Sequence, residues 1–193
     1  MKPRLQIIIT ATRPGRKGPV IAEWLKNYAL TDGRFEVELV DIADLNLPLF
    51  DEPNHPHQHD YQHEHTKKWS AIASRGDSYI FAVPEYDSTP SSSFINAITY
   101  LSLEWQYKGV AFLGYGGVSG GARAISVARN MMIAVRSVPI ADGINIPNYF
   151  EHLDENGKFN SNSLIDHSAK TVLDELYKIE HGLKIVREKF GTC

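Results

Sequence analysis

Short apolar runs alternate along this chain with longer stretches whose apolar residues recur every three or four positions. That alternation predicts strands and helices in turn, and therefore an α/β fold with a parallel sheet. Leu5 to Thr10 is a short β-branched run, read as a strand buried on both faces. Pro19 to Ala29 then places Ile21, Ala22, Leu25 and Tyr28 or Ala29 on one helical face, with Gly33 closing the unit. Phe35 to Asp41 alternates as a strand does. An irregular stretch from about Ala43 to Glu64 follows, carrying Pro48, Pro53 and Pro56. Thr66 to Arg75 reads as a helix and Ser78 to Val83 as a central strand stopped by Pro84. Pro90 suits the first turn of a helix bearing Phe94, Ile95, Ile98 and Leu101. Val110 to Tyr115 is a fourth strand, and a helix carrying Ile125, Val127, Met131, Met132 and Val135 opens at Gly121. Pro139 to Ile146 gives a shorter fifth strand, and Ser163 to about Phe190 a long final helix interrupted at Gly182.

Five such units without an internal repeat or linker predict a single domain spanning residues 1–193. Its sheet is doubly wound, five-stranded and parallel, in the order 2-1-3-4-5, because crossovers are right-handed and helices must cover both faces. Ligands in such sheets bind beyond the carboxyl ends of the strands, near the switch point between the first and third.

Composition narrows the classes further. At 193 residues, 42% hydrophobic and 22% charged, the chain is long enough for a real core and has no apolar run near the roughly 18 residues that span a bilayer. A net charge of -3 without a basic block argues against nucleic acid. The N-terminus has no signal-peptide pattern, and the single cysteine, Cys193, stands at the chain end, where it forms no internal disulfide and is badly placed as a nucleophile. The expected setting is cytoplasmic, with no membrane partner.

Three loops fall at the carboxyl edge. The first, Thr10 to Pro19, joins hydroxyls, Arg13 and Arg16, and two glycines to the start of a helix. Free N–H groups, a positive helix end and arginines suit a phosphate, although a basic turn also serves as plain surface. Neither the P-loop pattern nor G-x-G-x-x-G is present. Asp41, at the end of the second strand, is either a ribose-binding acid or an ordinary strand-end carboxylate. The second loop, Pro84 to Pro90, sets Tyr86 and Asp87 where they could grip a flat heterocycle, or else simply turns the chain and caps the next helix. The third, Tyr115 to Ala124, has four glycines between positions 116 and 121. Either something lies flat against that backbone or the turn needs several positive φ values.

The TRPGR turn, the P-E-Y-D-S-T-P loop and the Y-G-G-V-S-G-G-A-R-A segment together resemble the NAD(P)H-dependent FMN reductase family of flavodoxin-like quinone, azo-dye and chromate reductases, over nearly the whole chain. The resemblance implies a noncovalent FMN whose phosphate is held by Thr10, Thr12, Arg13, Arg16, Gly18, Pro19 and Val20. It implies an isoalloxazine lying against Pro84, Glu85, Tyr86, Asp87 and Ser88 on one side and Gly116, Gly117, Val118 and Gly120 on another. NADPH or NADH would deliver hydride to the flavin N5, and two electrons would pass on to a quinone, free flavin or similar acceptor in a ping-pong cycle. No protein nucleophile or acid/base pair is then required, and no residue is expected to be catalytic in its own right. Relatives commonly carry Gly-Ser where this chain has Thr10-Ala11, and Asn where it has Asp87. A ring-facing Asp87 would lower the flavin potential, whereas an outward Asp87 would cap the following helix or turn. Family members also pair, which makes a homodimer or a dimer of dimers the expected assembly, with Leu101, Leu103, Trp105 and Tyr107 either as its anchors or as core beneath the fourth strand.

Five histidines, His55, His57, His59, His63 and His65, crowd the long loop after the second strand. Their H-x-H-x-H spacing lacks cysteine and sits among Pro, Asn and Gln, so no metal site is assigned, and a metal-buffering protein ranks below the flavoenzyme. The alternative closer to the main reading is a flavin-binding electron carrier or regulator without NAD(P)H oxidation.

Overall fold

The computed structural model describes residues 2–191; Cys193 lies outside them. The chain runs through β1 (Arg4–Ile9), α1 (Gly18–Asp32), β2 (Glu36–Asp41), α2 (Glu64–Ser74), β3 (Ser78–Pro84) and α3 (Ser92–Thr99). It continues through β4 (Gly109–Tyr115), α4 (Ala122–Ala134), β5 (Val138–Pro139), β6 (Ile144–Ile146) and α5 (Ser163–Phe190). All pairs are parallel and the order is β2-β1-β3-β4-β5, as the alternation predicts, with β6 also paired to β4.

Every residue of β3 and β4 is buried, because each strand has neighbours on both edges and helices on both faces. Ile7, Ile80 and Leu113 point to the layer of α1 and α5, where they meet Ile21, Leu25, Val172 and Leu176. Ile8, Phe81 and Phe112 point to the layer of α2, α3 and α4, where Trp69, Phe94, Trp105 and Met132 complete the core. Helix α1 ends at Gly33, whose φ of 78° permits the left-handed turn into β2. At the sheet's edge, β2 is less buried and exposes Glu36. Among the described residues no helix is long and apolar enough to cross a membrane.

Three expectations are corrected and one alternative is decided. The fifth strand is two short pieces: β5 pairs with Gly109 and Val110, β6 with Leu113 to Tyr115, and the carbonyls of Ile140 and Ala141 between them accept bonds from the Arg129 guanidinium. Pro90 precedes α3 instead of lying in its first turn, because Ser91 is the cap and its Oγ accepts from the Phe94 N–H. Helix α5 runs unbroken through Gly182, where the surroundings are open and nothing forces a kink. Of the two readings of Leu101 and Trp105, subunit anchors or core beneath the fourth strand, the second holds: Trp105 is fully buried against Trp69, Tyr79 and Phe81.

The long histidine-bearing loop is held by polar bonds. Buried Glu52 accepts from the N–H groups of Gln62 and His63, while Asn96 and Tyr100 donate to the carbonyl of Pro48. These bonds replace the hydrophobic periodicity that the segment lacks.

At the amino end of the sheet, buried Lys108 donates to the Ser74 carbonyl and the Tyr79 hydroxyl. Burial pushes its ammonium down to about 8, and nearby Arg187 acts in the same direction. A depressed folded-state value means that the associated stability is fully present above the ordinary 10.5 and is lost as pH falls through about 8. Relative to Lys108→Met, the native chain should therefore gain roughly 2–3 kcal/mol between neutral pH and pH 10.5. Urea unfolding of both proteins at the two pH values measures this, and parallel pH profiles would contradict it.

Candidate functional site

Parallel pairing aligns the ends of β1, β3 and β4: Ile9 faces Ala82, and Pro84 faces Tyr115. The loops that follow them leave the same edge, and they bring all sixteen of the expected binding residues to that side of the sheet. Their side chains divide into those that hold the loops and those left facing outward.

In the first loop, Thr10 is fully buried. Its hydroxyl donates to the Ala82 carbonyl at 2.8 Å, and its own carbonyl accepts from Ser91 and Ser93, so it rivets β1 to β3 and to the cap of α3. Arg16 is also committed. Its two terminal nitrogens meet the two oxygens of Asp41 at 2.6 and 2.7 Å, and one of them donates to the Ala11 carbonyl. Asp41, which also accepts from the Ala43 N–H, is thereby a strut between β2 and this loop. Thr12 and Arg13 remain exposed, with Arg13 Nε donating to the Tyr86 hydroxyl at 3.1 Å. Gly18 starts α1 without any side-chain cap, and Pro19 lies in its first turn. Among the described residues the N–H groups of Thr12, Arg13, Gly18 and Val20 have no hydrogen-bond acceptor, and a helix N-terminus with free donors favours an anion.

In the second loop, Tyr86 and Thr89 exchange both backbone hydrogen bonds around Asp87 (φ 49°) and Ser88 (φ 66°). Two consecutive left-handed residues make a type I′ turn, which Asn and Asp enter most readily after Gly. Both turn residues are exposed, and Ser91 rather than Asp87 caps α3, which removes the helix-capping alternative for Asp87. Glu85 points the other way. Its carboxylate, 5% exposed, accepts from Ser119 Oγ at 2.6 Å, from Arg123 Nε at 2.8 Å and from the Arg123 N–H at 3.1 Å. It latches the second loop to the third and puts negative charge at the start of α4. Burial works to raise the Glu85 carboxyl, but the bonds from Ser119 and Arg123 outweigh it and hold it below the usual glutamate value.

The glycines of the third loop serve different ends. Gly120 (φ 60°) and Gly121 (φ 86°) need left-handed backbone, and a Cβ on Gly121 would come within 2.6 Å of the Gly114 Cα. The chain's own packing thus accounts for them. Gly117 differs: a Cβ there would meet nothing within 4 Å, and the neighbouring Val118 is 88% exposed. The N–H groups of both residues have no acceptor among the described residues. A flat group could rest against this strip and receive hydrogen bonds from it.

Residues beyond β6 complete the edge, and the sequence reading did not include them. The N–H groups of Asn148 and Tyr149 donate to the carbonyls of Gly117 and Gly116, and the Tyr149 ring stands edge-on to Tyr115 at 5.6 Å. The available signal was the Asn-Tyr-Phe run immediately after the last strand, at the same carboxyl edge. The histidines are engaged in different ways: His59 Nε2 meets Glu104, His65 Nε2 meets Asp51, His63 stacks on His65, and His55 Nδ1 accepts from the His57 N–H. Among the described residues no group of three His, Cys, Asp or Glu side chains is placed to hold a metal ion.

Residues 3–151 match the family model for NADPH-dependent FMN reductase. The chain is 33% identical to the NAD(P)H-dependent FMN reductase ntnL of a Nectria species over 146 residues, 72% of this chain and 71% of that one. It is 29% identical to an NAD(P)H-dependent FMN reductase of Schizosaccharomyces pombe over 148 residues, 75% and 74% of the two chains. In fold it is similar to FerB, a flavoenzyme NAD(P)H:(acceptor) oxidoreductase from Paracoccus denitrificans, with a TM-score of 0.72, 19% identity and coverage of 93% and 98%. An azoreductase of Bacillus anthracis shares the fold at a TM-score of 0.57 and 15% identity, covering 93% of this chain and 99% of its own.

Replacing Glu85 with Gln removes the charge from the latch and turns an amide donor toward groups that themselves donate. Unfolding free energy should fall by roughly 1–3 kcal/mol at neutral pH. Because the Glu85 value is depressed, its contribution is present above the usual glutamate range and is lost as pH falls through the folded value. The difference between native and Glu85→Gln proteins should therefore shrink in acid, and a difference independent of pH would refute the charged latch.

Proposed function

The chain belongs to the NADPH-dependent FMN reductase family, and from that premise we propose that the three-loop edge of its sheet binds FMN and admits a nicotinamide and a small acceptor in turn. It is an NAD(P)H-dependent FMN oxidoreductase. The observation that carries the site assignment is the separation of two sets of unpaired backbone donors along one edge, at the start of α1 and at Gly117 and Val118.

These groups fit the cofactor. The N–H groups of Thr12, Gly18 and Val20 with the exposed Arg13 would hold its phosphate, while the open Cβ position of Gly117 leaves space for a flat ring. Gly117 and Val118 would donate to ring acceptors, with Tyr86 and the Asp87–Ser88 turn on the other side. Bound FMN supplies the redox chemistry, taking hydride from NADPH or NADH and returning two electrons to a quinone, free flavin or similar oxidant. The protein's part is placement. Thr10 and Arg16 fix the first loop, Glu85 fixes the third against the second, and no side chain has to act as nucleophile or acid. A single binding place visited alternately by donor and acceptor makes the kinetics ping-pong.

The purified protein should be yellow and should bleach on anaerobic addition of NADPH or NADH, with the colour returning when a quinone is supplied. A flavin carrier without reductase activity would stay yellow with either nicotinamide, and that result would reject the enzyme reading.

Residues 1–193 act as one domain that assembles as a homodimer through the face of α3 and α4. Ile95, Val127 and the adjacent Leu49 and Phe50 expose apolar surface there, with Leu49 at 84%. Light scattering at micromolar concentration should give twice the 21.7 kDa of one chain, and a monomer mass would rule the assembly out.

A further inference from the structure

The Tyr115 hydroxyl is a buried polar group that the structure leaves without a hydrogen-bond partner among the described residues. The residue is 3% exposed and closes β4, two strands away from β1 in the sheet, yet its hydroxyl reaches the first residue of α1. A Cβ on Gly18 would stand 2.7 Å from that oxygen. Position 18 is thus kept free of a side chain where the tyrosine arrives. Buried tyrosine hydroxyls nearly always find a partner. Arg13 and Arg16 are near enough to influence the tyrosine electrostatically, and among the described residues the Arg13 side chain is tied to Tyr86 alone.

We propose that Tyr115 donates its hydroxyl proton in a hydrogen bond to the anionic phosphate bound at the N-terminus of α1, as a buried side-chain donor of that site. This rests on the FMN reading above and adds a residue to it. The hydroxyl lies out of contact with water, so the donor is met only by a ligand that settles into the first turn of α1. Phosphate recognition then combines outward backbone donors with an inward hydroxyl, and the bond forms only on binding.

Tyr115→Phe removes the hydroxyl and keeps the ring on Tyr149. The test compares binding of FMN and riboflavin by quenching of flavin fluorescence, for the native protein and the variant, together with thermal unfolding of both without flavin. We expect FMN affinity to fall about 10- to 150-fold, the range for one charge-assisted bond, with riboflavin affinity unchanged. The flavin-free variant should unfold at the same or a higher temperature, since an unpaired buried hydroxyl is lost. Equal weakening of FMN and riboflavin would make Tyr115 a packing residue and overturn the proposal, as would an unchanged preference for FMN in the variant. A native protein that binds FMN no better than riboflavin would overturn the phosphate site itself, and the role of Tyr115 with it. Gly18→Ala provides a second arm: by crowding the hydroxyl it should reproduce the selective loss of FMN affinity, and its failure to do so while the fold is retained would count against the placement.

Discussion

A parallel sheet delivers its strand ends on one side, and the arrangement of this protein depends on that constraint. Every crossover through a helix returns the chain to the opposite edge, so β1, β3 and β4 all finish together, with Ile9 level with Ala82 and Pro84 level with Tyr115. Because β3 and β4 are buried along their whole length, those ends cannot shift without breaking the core on both faces. Three loops distant in sequence therefore have nowhere to go but beside one another.

Within that edge, charge is used twice for different purposes. Arg16 with Asp41, and Glu85 with Ser119 and Arg123, are saturated contacts that fix loop shape. Arg13, the first turn of α1 and the Gly117–Val118 backbone are left unsaturated. Holding donors unpaired is tolerable only where water reaches them or a ligand replaces it, and only if neighbouring contacts prevent the loop from closing on itself. The bidentate Asp41 contact does this for the first loop, since it draws the Arg16 guanidinium toward β2 and away from the helix start.

The sheet order and the edge at which the candidate residues gather were legible from sequence because they follow from hydrophobic periodicity and right-handed crossovers. Residue roles were less legible. Thr10 and Glu85 belong to the motif, yet each turns inward to the scaffold, since a hydroxyl or carboxylate at a strand end is equally able to serve a ligand or a neighbouring carbonyl or amide. The glycine run was ambiguous for a related reason: Gly120 answers to packing against Ile146 and Pro147 and Gly121 to packing against β4, whereas Gly117 faces open space, and identical residues carry no mark of the difference. Tyr149 was missed because the segment after β6 has little periodicity and reaches the site through backbone bonds. The histidine loop suggested coordination chemistry by composition alone, but His59 and His65 are spent on single carboxylates, Glu104 and Asp51.

The break between β5 and β6 bears on colloidal behaviour. A continuous outer strand beside β4 would offer a straight row of amides and carbonyls to any incoming strand, the geometry from which cross-β assemblies grow. Here that row is two residues, a gap and three residues, Pro139 contributes no amide hydrogen, and Arg129 occupies the carbonyls of Ile140 and Ala141 in the gap. On the opposite border, β2 presents the charged Glu36. Both margins of the sheet thus resist templated strand addition by a second chain.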